Sequence, residues 1–232
     1  LLGTDRIHLF DIPLLLCRNQ GLSMEQRVAK RVLDIVVSGL GIIVSSPIML
    51  IIAIAVKAYD GGPVFYLQDR LTYKGKQFRI RKFRSMCVDS EKNGARLASK
   101  HDSRITPVGH VLRNLHLDER PQLCNVFKGD MSLVGPRPER DVIMQEYEKE
   151  IPEFHYRLKV KAGLTGYAQV YGKYNTTPYD KLKLDLFYIE NYSFLLDIKL
   201  LFMTVKIFFQ KEVSEGVDDD QKNALKDSQE EK

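Results

Sequence analysis

The segment that decides the fold is IVVSGLGIIVSSPIMLIIAIAV, residues 35–56, which runs for 22 residues without a charged side chain. At about 1.5 Å per residue, a helix of this length is about 33 Å long, enough to cross the hydrocarbon core of a bilayer. A buried helix of a soluble protein normally keeps a polar face, and this segment has none. We therefore predict that residues 35–56 insert into a membrane.

The middle of this segment contains Ser46-Pro47, and a proline inside a helix removes one backbone donor and clashes with the preceding turn. Serine hydroxyls can satisfy the backbone groups that the proline frees. Positive charge flanks the segment on both sides, with three Lys or Arg in 27–31 and eight Lys or Arg against two Asp in 57–84. Because positive flanks stay in the cytoplasm, we predict a helix broken at Ser46-Pro47 that re-enters the same leaflet. The alternative is an ordinary spanning helix with a tolerated proline.

The composition is that of a globular protein, with 44% hydrophobic and 28% charged residues in a chain of 232. It excludes a fully disordered chain, a collagen-like repeat and a transporter with many spans. The net charge of +5 is uneven: the segment 210–232 carries −4, which leaves +9 on residues 1–209. A basic body favours nucleic acid, phospholipid headgroups or phosphorylated substrates as partners. Three scattered cysteines predict neither a disulfide framework nor a zinc site.

Beyond the apolar segment, the pattern predicts a mixture of strands and helices. Two strands are expected at 63–70 and 78–84, and the alternation slips at Lys82-Phe83, which predicts a β-bulge. Helices are expected from Thr106-Pro107, from Asp118 to Gly129, at 139–150, at 178–191 and at 194–209. The last helix either packs on the core or lies in the membrane interface. The acidic segment 210–232 is expected to be disordered.

An adjacent acidic pair, Asp118-Glu119, stands at the predicted start of a helix, where free N–H groups and the helix dipole suit anions. Most such pairs only cap a helix. The surroundings of this pair favour a chemical role, because the basic residues nearby in sequence are Arg104, Arg113, Arg120, Arg137, Lys82 and Arg84.

Arg137 lies between Pro136 and Pro138, which restrict its backbone and hold its guanidinium in a fixed presentation. A rigid planar fork suits a phosphate or a pyrophosphate. A carboxylate pair beside a basic cluster suits phosphoryl chemistry, since one carboxylate can attack phosphorus while the other holds Mg²⁺.

These motifs resemble the bacterial sugar transferases, the monotopic phosphoglycosyl transferases. The resemblance runs from about residue 30 to residue 209. The segments that carry it are 82–86 (KFRSM), 104–106 (RIT) with Gly109 and Leu112-Arg113, 117–126 (LDERPQLCNV), 128–138 (KGDMSLVGPRP), 163–166 (GLTG) and 168–170 (AQV).

The resemblance implies an α+β fold: a re-entrant helix broken at Ser46-Pro47, a small catalytic domain of mixed helices and strands, and interfacial helices. The catalytic domain is expected on the cytoplasmic face of the bacterial inner membrane. The implied enzyme is an undecaprenyl-phosphate sugar-1-phosphate transferase, which moves a sugar-1-phosphate from a UDP-sugar to a polyprenyl phosphate. That reaction is the first membrane step of a surface polysaccharide such as exopolysaccharide, capsule or O-antigen.

The resemblance also assigns residue roles. Asp118 is expected to attack the sugar-bearing phosphorus and form a covalent aspartyl-phosphosugar intermediate, and Glu119 is expected to bind the Mg²⁺ cofactor. Arg113 and Arg137 match positions that contact phosphate. Lys82 and Arg84 lie in a matching motif and are expected to bind phosphate or nucleotide.

The expected division of the chain is a lead-in segment at 1–27, a re-entrant membrane helix at 28–60, a cytoplasmic catalytic domain at 61–209 and a disordered acidic tail at 210–232. The lead-in resembles that of larger members, so the chain is expected to be the catalytic part of one. Residues upstream of Leu1, the oligomeric state, with a homodimer among the options, and the polymer served stay open. Glucose or galactose is the leading expectation for the sugar.

Four residues depart from the family pattern and put local packing or sugar preference in doubt: Arg120, Cys124, Ala162 and Lys173. Two other functions are weighed against the enzyme. A non-catalytic, membrane-anchored module that binds anionic lipid would have no need of both Asp118 and Glu119. A nucleic-acid-binding domain would leave the uncharged segment unexplained and lacks aromatic-interleaved basic motifs.

Overall fold

The computed structural model describes residues 4–9, 12–17, 22–88, 102–172 and 176–209. Ahead of the apolar segment, strands β1 (Thr4–Leu9) and β2 (Ile12–Cys17) pair as an antiparallel hairpin. The acidic tail predicted at 210–232 lies outside the described residues.

The apolar segment forms the long helix α1, Met24–Asp60, which begins earlier than predicted and ends where predicted. Ser23 caps its first turn through a reciprocal pair of hydrogen bonds with Gln26. Gly61 ends the helix with a left-handed backbone (φ 70°), which glycine adopts without steric cost. By length and composition α1 could cross a membrane.

The predicted break at Ser46-Pro47 is not a break in the helix, because α1 continues through Pro47. Pro47 has no N–H to offer the carbonyl of Ile43 one turn earlier, and the Ser46 hydroxyl donates to that carbonyl instead, at 2.8 Å. The Ser45 hydroxyl likewise donates to the carbonyl of Gly41 at 2.6 Å. The serines therefore satisfy carbonyl groups near the proline as predicted. Re-entrance into one leaflet stays a prediction.

Strands β3 (Phe65–Leu71) and β4 (Gln77–Phe83) form the predicted hairpin around a 3₁₀ turn at Tyr73–Gly75. Their pairing is one to one along its whole length, so the predicted bulge at Lys82-Phe83 is absent. The slip in the apolar pattern arises because both faces of this strand end are covered. Phe83 is buried against the end of α1, while Lys82 contacts the acidic pair.

The remaining elements are, in chain order, α2 (Pro107–Asn114), α3 (Gln122–Lys128), β5 (Ser132–Val134), α4 (Asp141–Glu150), a 3₁₀ helix (Pro152–Lys159), β6 (Gly163–Thr165), α5 (Tyr167–Tyr171), α6 (Pro178–Glu190) and α7 (Phe194–Phe209). Strands β5 and β6 pair in parallel. The predicted mixture of helices and strands is confirmed.

Most helix boundaries follow the sequence signals. Thr106 caps α2 by accepting a hydrogen bond from the N–H of Gly109 at 2.9 Å, and Thr177 caps α6 in the same way. Gly129 ends α3 with a left-handed backbone (φ 96°). The prediction that Asp118 caps the following helix is wrong, because α3 begins only at Gln122.

One face of α1 packs on the rest of the protein on both sides of Pro47. The buried residues of that face are Lys30, Asp34, Ser38, Ile52 and Val56. Large apolar side chains elsewhere on α1 are exposed, among them Leu40, Ile43, Val44, Leu50, Ile51 and Ile54. Helix α1 therefore packs on the rest of the fold through one face. Its other face is apolar and exposed, as suits an apolar environment.

Buried charges join α1 to the last helix. The Lys30 ammonium lies 2.6 Å from Asp197 of α7, and the Tyr188 hydroxyl of α6 donates to the other oxygen of that carboxylate at 2.7 Å. Asp197 is fully buried, whereas Leu195 and Phe202 on the same helix are exposed. Helix α7 thus packs on the core through one face and leaves an apolar face uncovered.

Candidate active site

The acidic pair lies in a turn between α2 and α3. The carbonyl of Asp118 accepts a hydrogen bond from the N–H of Phe83 at 2.8 Å, which ties the pair to the end of β4. His116 enters the turn with a left-handed backbone (φ 51°), an uncommon conformation for a residue with a side chain. The pair is therefore positioned by the turn and the strand end, and the helix-start argument from the sequence does not apply.

A cleft of about 480 Å³ opens beside this turn, and Asp118 lines it. Four predicted or weighed basic residues also line it: Lys82, Arg84, Arg104 and Arg113. The wall includes Arg140 as well, which the sequence analysis missed because nothing in its local sequence links it to the acidic pair. Glu119 and Arg137 do not line the cleft.

Glu119 is held by two cations. The Lys82 ammonium donates to Glu119 Oε1 at 2.5 Å, and the Arg137 guanidinium donates to the same oxygen at 3.2 Å. Burial raises the pKa of Glu119, but Arg137 and Lys82 lower it more strongly, and the resulting pKa is about 2. Glu119 is therefore ionised throughout the physiological range.

Asp118 has the opposite environment. Burial raises its pKa, the negative charge of Glu119 raises it further, and Lys82 and Arg113 act against both. No described side chain donates a hydrogen bond to its carboxylate. The two carboxylates thus differ in environment: Glu119 is held by two cations and ionised, while Asp118 lines the cleft without a hydrogen bond from a described side chain.

The two other predicted cations, Arg113 and Arg84, have different partners. Arg113 is close enough to Asp118 to lower its pKa, and its Nε donates to the Ser85 hydroxyl at 2.9 Å. Arg84 forms a two-pronged ion pair with Asp60 at the end of α1, so its charge is already balanced and its guanidinium joins the membrane helix to the cleft wall. Of the four predicted cations, Arg84 is the one whose ion pair is with a carboxylate outside the acidic pair.

The loop that carries Arg137 is held by its backbone carbonyls, and sequence reasoning did not find its anchors. The N–H of Gly163 donates to the carbonyl of Pro136 at 2.9 Å. Arg157 donates to the carbonyl of Arg137 at 3.0 Å, and Arg70 donates to the carbonyl of Pro138 at 3.1 Å. Two arginines therefore hold the backbone on which Arg137 stands, in addition to the two prolines, and the fixed presentation of its guanidinium stays a prediction.

Arg157 is itself fixed by buried partners. Its guanidinium lies 2.8 Å from Asp185 of α6 and 3.6 Å from Glu139. Asp185 and Arg157 are both buried. These contacts join positions far apart in the chain, so no local sequence pattern could predict them.

Three of the four departures from the family pattern lie in the described residues. The backbone N–H of Ala162 donates to the Thr72 hydroxyl at 3.1 Å, a bond that a proline at this position could not make. Cys124 is half-buried on α3, and Arg120 is exposed. Lys173 lies outside the described residues.

The acidic pair fits a divalent cation only together with a substrate. Mg²⁺ takes oxygen ligands and usually combines one or two carboxylates with substrate phosphates. Both donors to Glu119 contact Oε1, and no described residue donates to Oε2. The described residues contain no group of three or more His, Cys, Asp or Glu that could hold a metal. Glu119 therefore suits a magnesium ion that also binds phosphate oxygens.

Comparison with known proteins agrees with this geometry. Residues 25–211 match the family described as bacterial sugar transferase. A UDP-N-acetylgalactosamine-undecaprenyl-phosphate N-acetylgalactosaminephosphotransferase of Aeromonas hydrophila is 44% identical over 76% of this chain and 43% of its own length. A UDP-glucose:undecaprenyl-phosphate glucose-1-phosphate transferase of Klebsiella pneumoniae is 42% identical over 88% of this chain and 43% of its own length.

A third relative, an undecaprenyl-phosphate galactose phosphotransferase of Salmonella typhimurium strain LT2, is 37% identical over 91% of this chain and 47% of its own length. The chain thus spans less than half the length of each of these relatives. The family match covers the acidic pair, its cations and the cleft, and the chain belongs to the bacterial sugar transferase family.

Proposed function

We propose that this chain transfers a sugar-1-phosphate from a UDP-sugar to a polyprenyl phosphate such as undecaprenyl phosphate. The observation that carries the proposal is a pair of unlike carboxylates: Asp118 lines the cleft and accepts no hydrogen bond from a described side chain, while the neighbouring Glu119 is held ionised by two cations. The names of the relatives supply the two substrates, since each names undecaprenyl phosphate and two name a UDP-sugar.

The reaction proceeds in two displacements at phosphorus. In the first, a carboxylate oxygen of Asp118 attacks the sugar-bearing phosphorus of the UDP-sugar, the bond from that phosphorus to the bridging oxygen breaks, and UMP leaves. In the second, a phosphate oxygen of the polyprenyl phosphate attacks the same phosphorus, and the bond to Asp118 breaks. The product is a polyprenyl diphosphate sugar, and Asp118 returns to its starting state.

The cations of the site support this chemistry. Lys82 and Arg113 line the same cleft as Asp118, where they can bind phosphate oxygens and stabilise the charge that develops in each displacement. Arg137 acts through Glu119, which it helps to hold in place. A magnesium ion on Glu119 would neutralise the negative charge of the phosphates.

The packing of α1 supports anchoring from one side of the membrane. The same helix contacts the catalytic part of the chain at Asp34, before Pro47, and at Val56, after it. Both ends of α1 therefore lie against one body, as a re-entrant helix on the cytoplasmic face requires. Cysteine labels placed at the two ends of α1 in sealed vesicles should react from the same side, and reaction from opposite sides would refute re-entrance.

The transferred sugar is proposed to be a hexose or a hexose derivative. The relatives name N-acetylgalactosamine, glucose and galactose, so similarity alone does not select one. Glucose or galactose is our leading proposal, and the product is proposed to enter a surface polysaccharide.

The proposed function is tested by the first displacement, which releases UMP. The chain in detergent is mixed with UDP-glucose, UDP-galactose or UDP-N-acetylgalactosamine in the absence of lipid acceptor, and released UMP is measured. One UMP per chain is expected with the correct donor, and none from the Asp118→Asn variant. Asp69→Asn, an exposed aspartate of β3, is the matched control and should release UMP normally. Normal release from Asp118→Asn would assign the attack to another nucleophile, whereas absence of release from the unaltered chain with every donor would favour a non-catalytic lipid-binding module.

A further inference from the structure

The cleft beside Asp118 has an apolar wall in addition to its cations. The side chains of this apolar wall are Pro63, Phe65, Leu67, Met86 and Val88. Phe65 and Leu67 alternate along β3 and so point to the same side of the strand. Phe65 and Leu67 are each 49% exposed and Val88 is 59% exposed. Apolar surface of this extent at the edge of a charged site calls for an apolar part of a ligand.

The apolar wall is continuous with the membrane helix. The ring of Phe65 stacks on the ring of Phe83, with the centroids 5.4 Å apart. Phe83 is buried in one cluster with Ile52 and Val56, which lie in the last turns of α1. The N–H of Phe83 in turn donates to the carbonyl of Asp118. Apolar contacts through Phe83 therefore join the wall to the last turns of α1, and the same residue fixes the backbone of the nucleophile.

We infer that the apolar wall binds the isoprene units next to the phosphate of the lipid acceptor. The inference rests on the proposed function, in which this phosphate must reach Asp118 while the chain attached to it remains in an apolar environment. Lys82 and Arg113 suit the phosphate, and the wall suits the first units of the chain. The uracil ring is the competing occupant, and its polar edges require hydrogen-bond partners. None of the five side chains of the wall offers one, whereas Tyr66, Gln68 and Ser85 on the rest of the cleft lining carry such groups, so the ring is expected to bind against those residues.

The order of the two displacements lets one cleft serve both substrates. UMP leaves after the first displacement, so the nucleotide half of the cleft is vacated before the acceptor attacks. Only the phosphosugar stays on Asp118. The wall can therefore act in the second displacement without taking part in the first.

The two displacements separate the lipid from the nucleotide in an experiment. Phe65→Ser and Leu67→Ser are assayed with a water-soluble two-isoprene phosphate, citronellyl phosphate, as acceptor, which removes any effect of membrane binding. We expect the KM for this acceptor to rise by about tenfold in each variant, the order expected for one lost apolar contact. The KM for the UDP-sugar, measured by UMP release without acceptor, should change much less than the KM for the acceptor. Phe65→Leu should retain most of the acceptor affinity, and Val142→Ser, an exposed apolar residue of α4, is the matched control.

Three results would overturn the inference or its basis, and each is distinct. An unchanged acceptor KM in both variants would remove the wall from the acceptor site. A raised KM for the UDP-sugar in the first displacement would assign the wall to the uracil ring. Absence of UMP release from the unaltered chain with all three donors would refute the proposed function itself, and the inference with it.

A binding measurement checks the same point without turnover. An isoprenyl phosphate with a photoreactive diazirine in its first unit is irradiated with the Asp118→Asn variant, and the labelled peptides are identified by mass spectrometry. Labels on residues 63–67 or 86–88 are expected, and Phe65→Ser should reduce them. Labels confined to other parts of the chain would contradict the assignment.

Discussion

Replacing Arg157 by methionine should test whether a buried ion pair holds the loop that carries Arg137. Arg157 lies 2.8 Å from Asp185 and donates to the carbonyl of Arg137 at 3.0 Å. Arg137 in turn donates to Glu119. Methionine fills a similar volume but makes none of these polar contacts, so the variant removes a structural ion pair and a support of the active site together.

The structure sets the size of both effects. The side chains of Arg157 and Asp185 are only 5% and 2% exposed, so the loss of one partner leaves a buried charge uncompensated, at a cost of about 3–5 kcal/mol in the free energy of unfolding. The double variant Arg157→Met/Asp185→Leu replaces the pair by two apolar side chains and should recover most of that loss. The carbonyl of Arg137 still lacks its charged donor in the double variant. UMP release should therefore stay reduced, on the order of tenfold.

Two measurements separate the effects. Unfolding is followed in detergent for the single and the double variant, and kcat and KM for UMP release are measured on each. We expect stability to return in the double variant while kcat for UMP release stays low. If the double variant regains both stability and full UMP release, Arg157 only supports the fold, and the positioning of Arg137 through its carbonyl is refuted.

Further predictions concern the acidic pair and the membrane helix. UMP release should fall as the pH drops through the pKa of Asp118, because only the carboxylate attacks, and this pKa lies above its ordinary value. Removing the positive charge in Arg113→Met should raise that pKa and move the acidic limb of the pH–rate profile to higher pH, whereas Glu119→Gln should move the limb of the residual activity to lower pH. Shifts in the same direction would contradict the assigned charges. Ser46→Ala should lower the free energy of unfolding by about 1–3 kcal/mol, because the carbonyl facing Pro47 loses its donor, and Pro47→Ala on top should recover the loss by restoring a backbone N–H. No loss in Ser46→Ala would show that water reaches this carbonyl.

Features encoded locally were predictable from the sequence. The caps at Thr106 and Thr177, the end of α3 at Gly129 and the length of the apolar helix each depend on residues within one or two turns. The acidic pair and its cations were found because they lie in recognisable motifs. The expected basic surroundings of the acidic pair are seen in the structure as the hydrogen bonds of Lys82 and Arg137 to Glu119.

Features that depend on distant partners were not predictable. The bulge was wrongly expected because the burial of Phe83 comes from α1, and the start of α3 was misplaced because Asp118 is held by β4 instead of capping a helix. Lys30 pairs with Asp197 across 167 positions of the chain, so neither charge could be recognised as buried. The ion pair of Arg84 with Asp60 at the end of the membrane helix could not be read from the motif of Arg84, and its binding of phosphate stays a prediction.

The central claim is that Asp118 becomes covalently attached to the phosphosugar. The chain is mixed with its UDP-sugar without acceptor, digested at low pH, and the peptide that contains Asp118 is examined by mass spectrometry. We predict an added mass of one hexose phosphate or N-acetylhexosamine phosphate on Asp118, which disappears when polyprenyl phosphate is added and never forms in Asp118→Asn. UMP release with no adduct on this peptide, or with the adduct on another residue, would contradict the account.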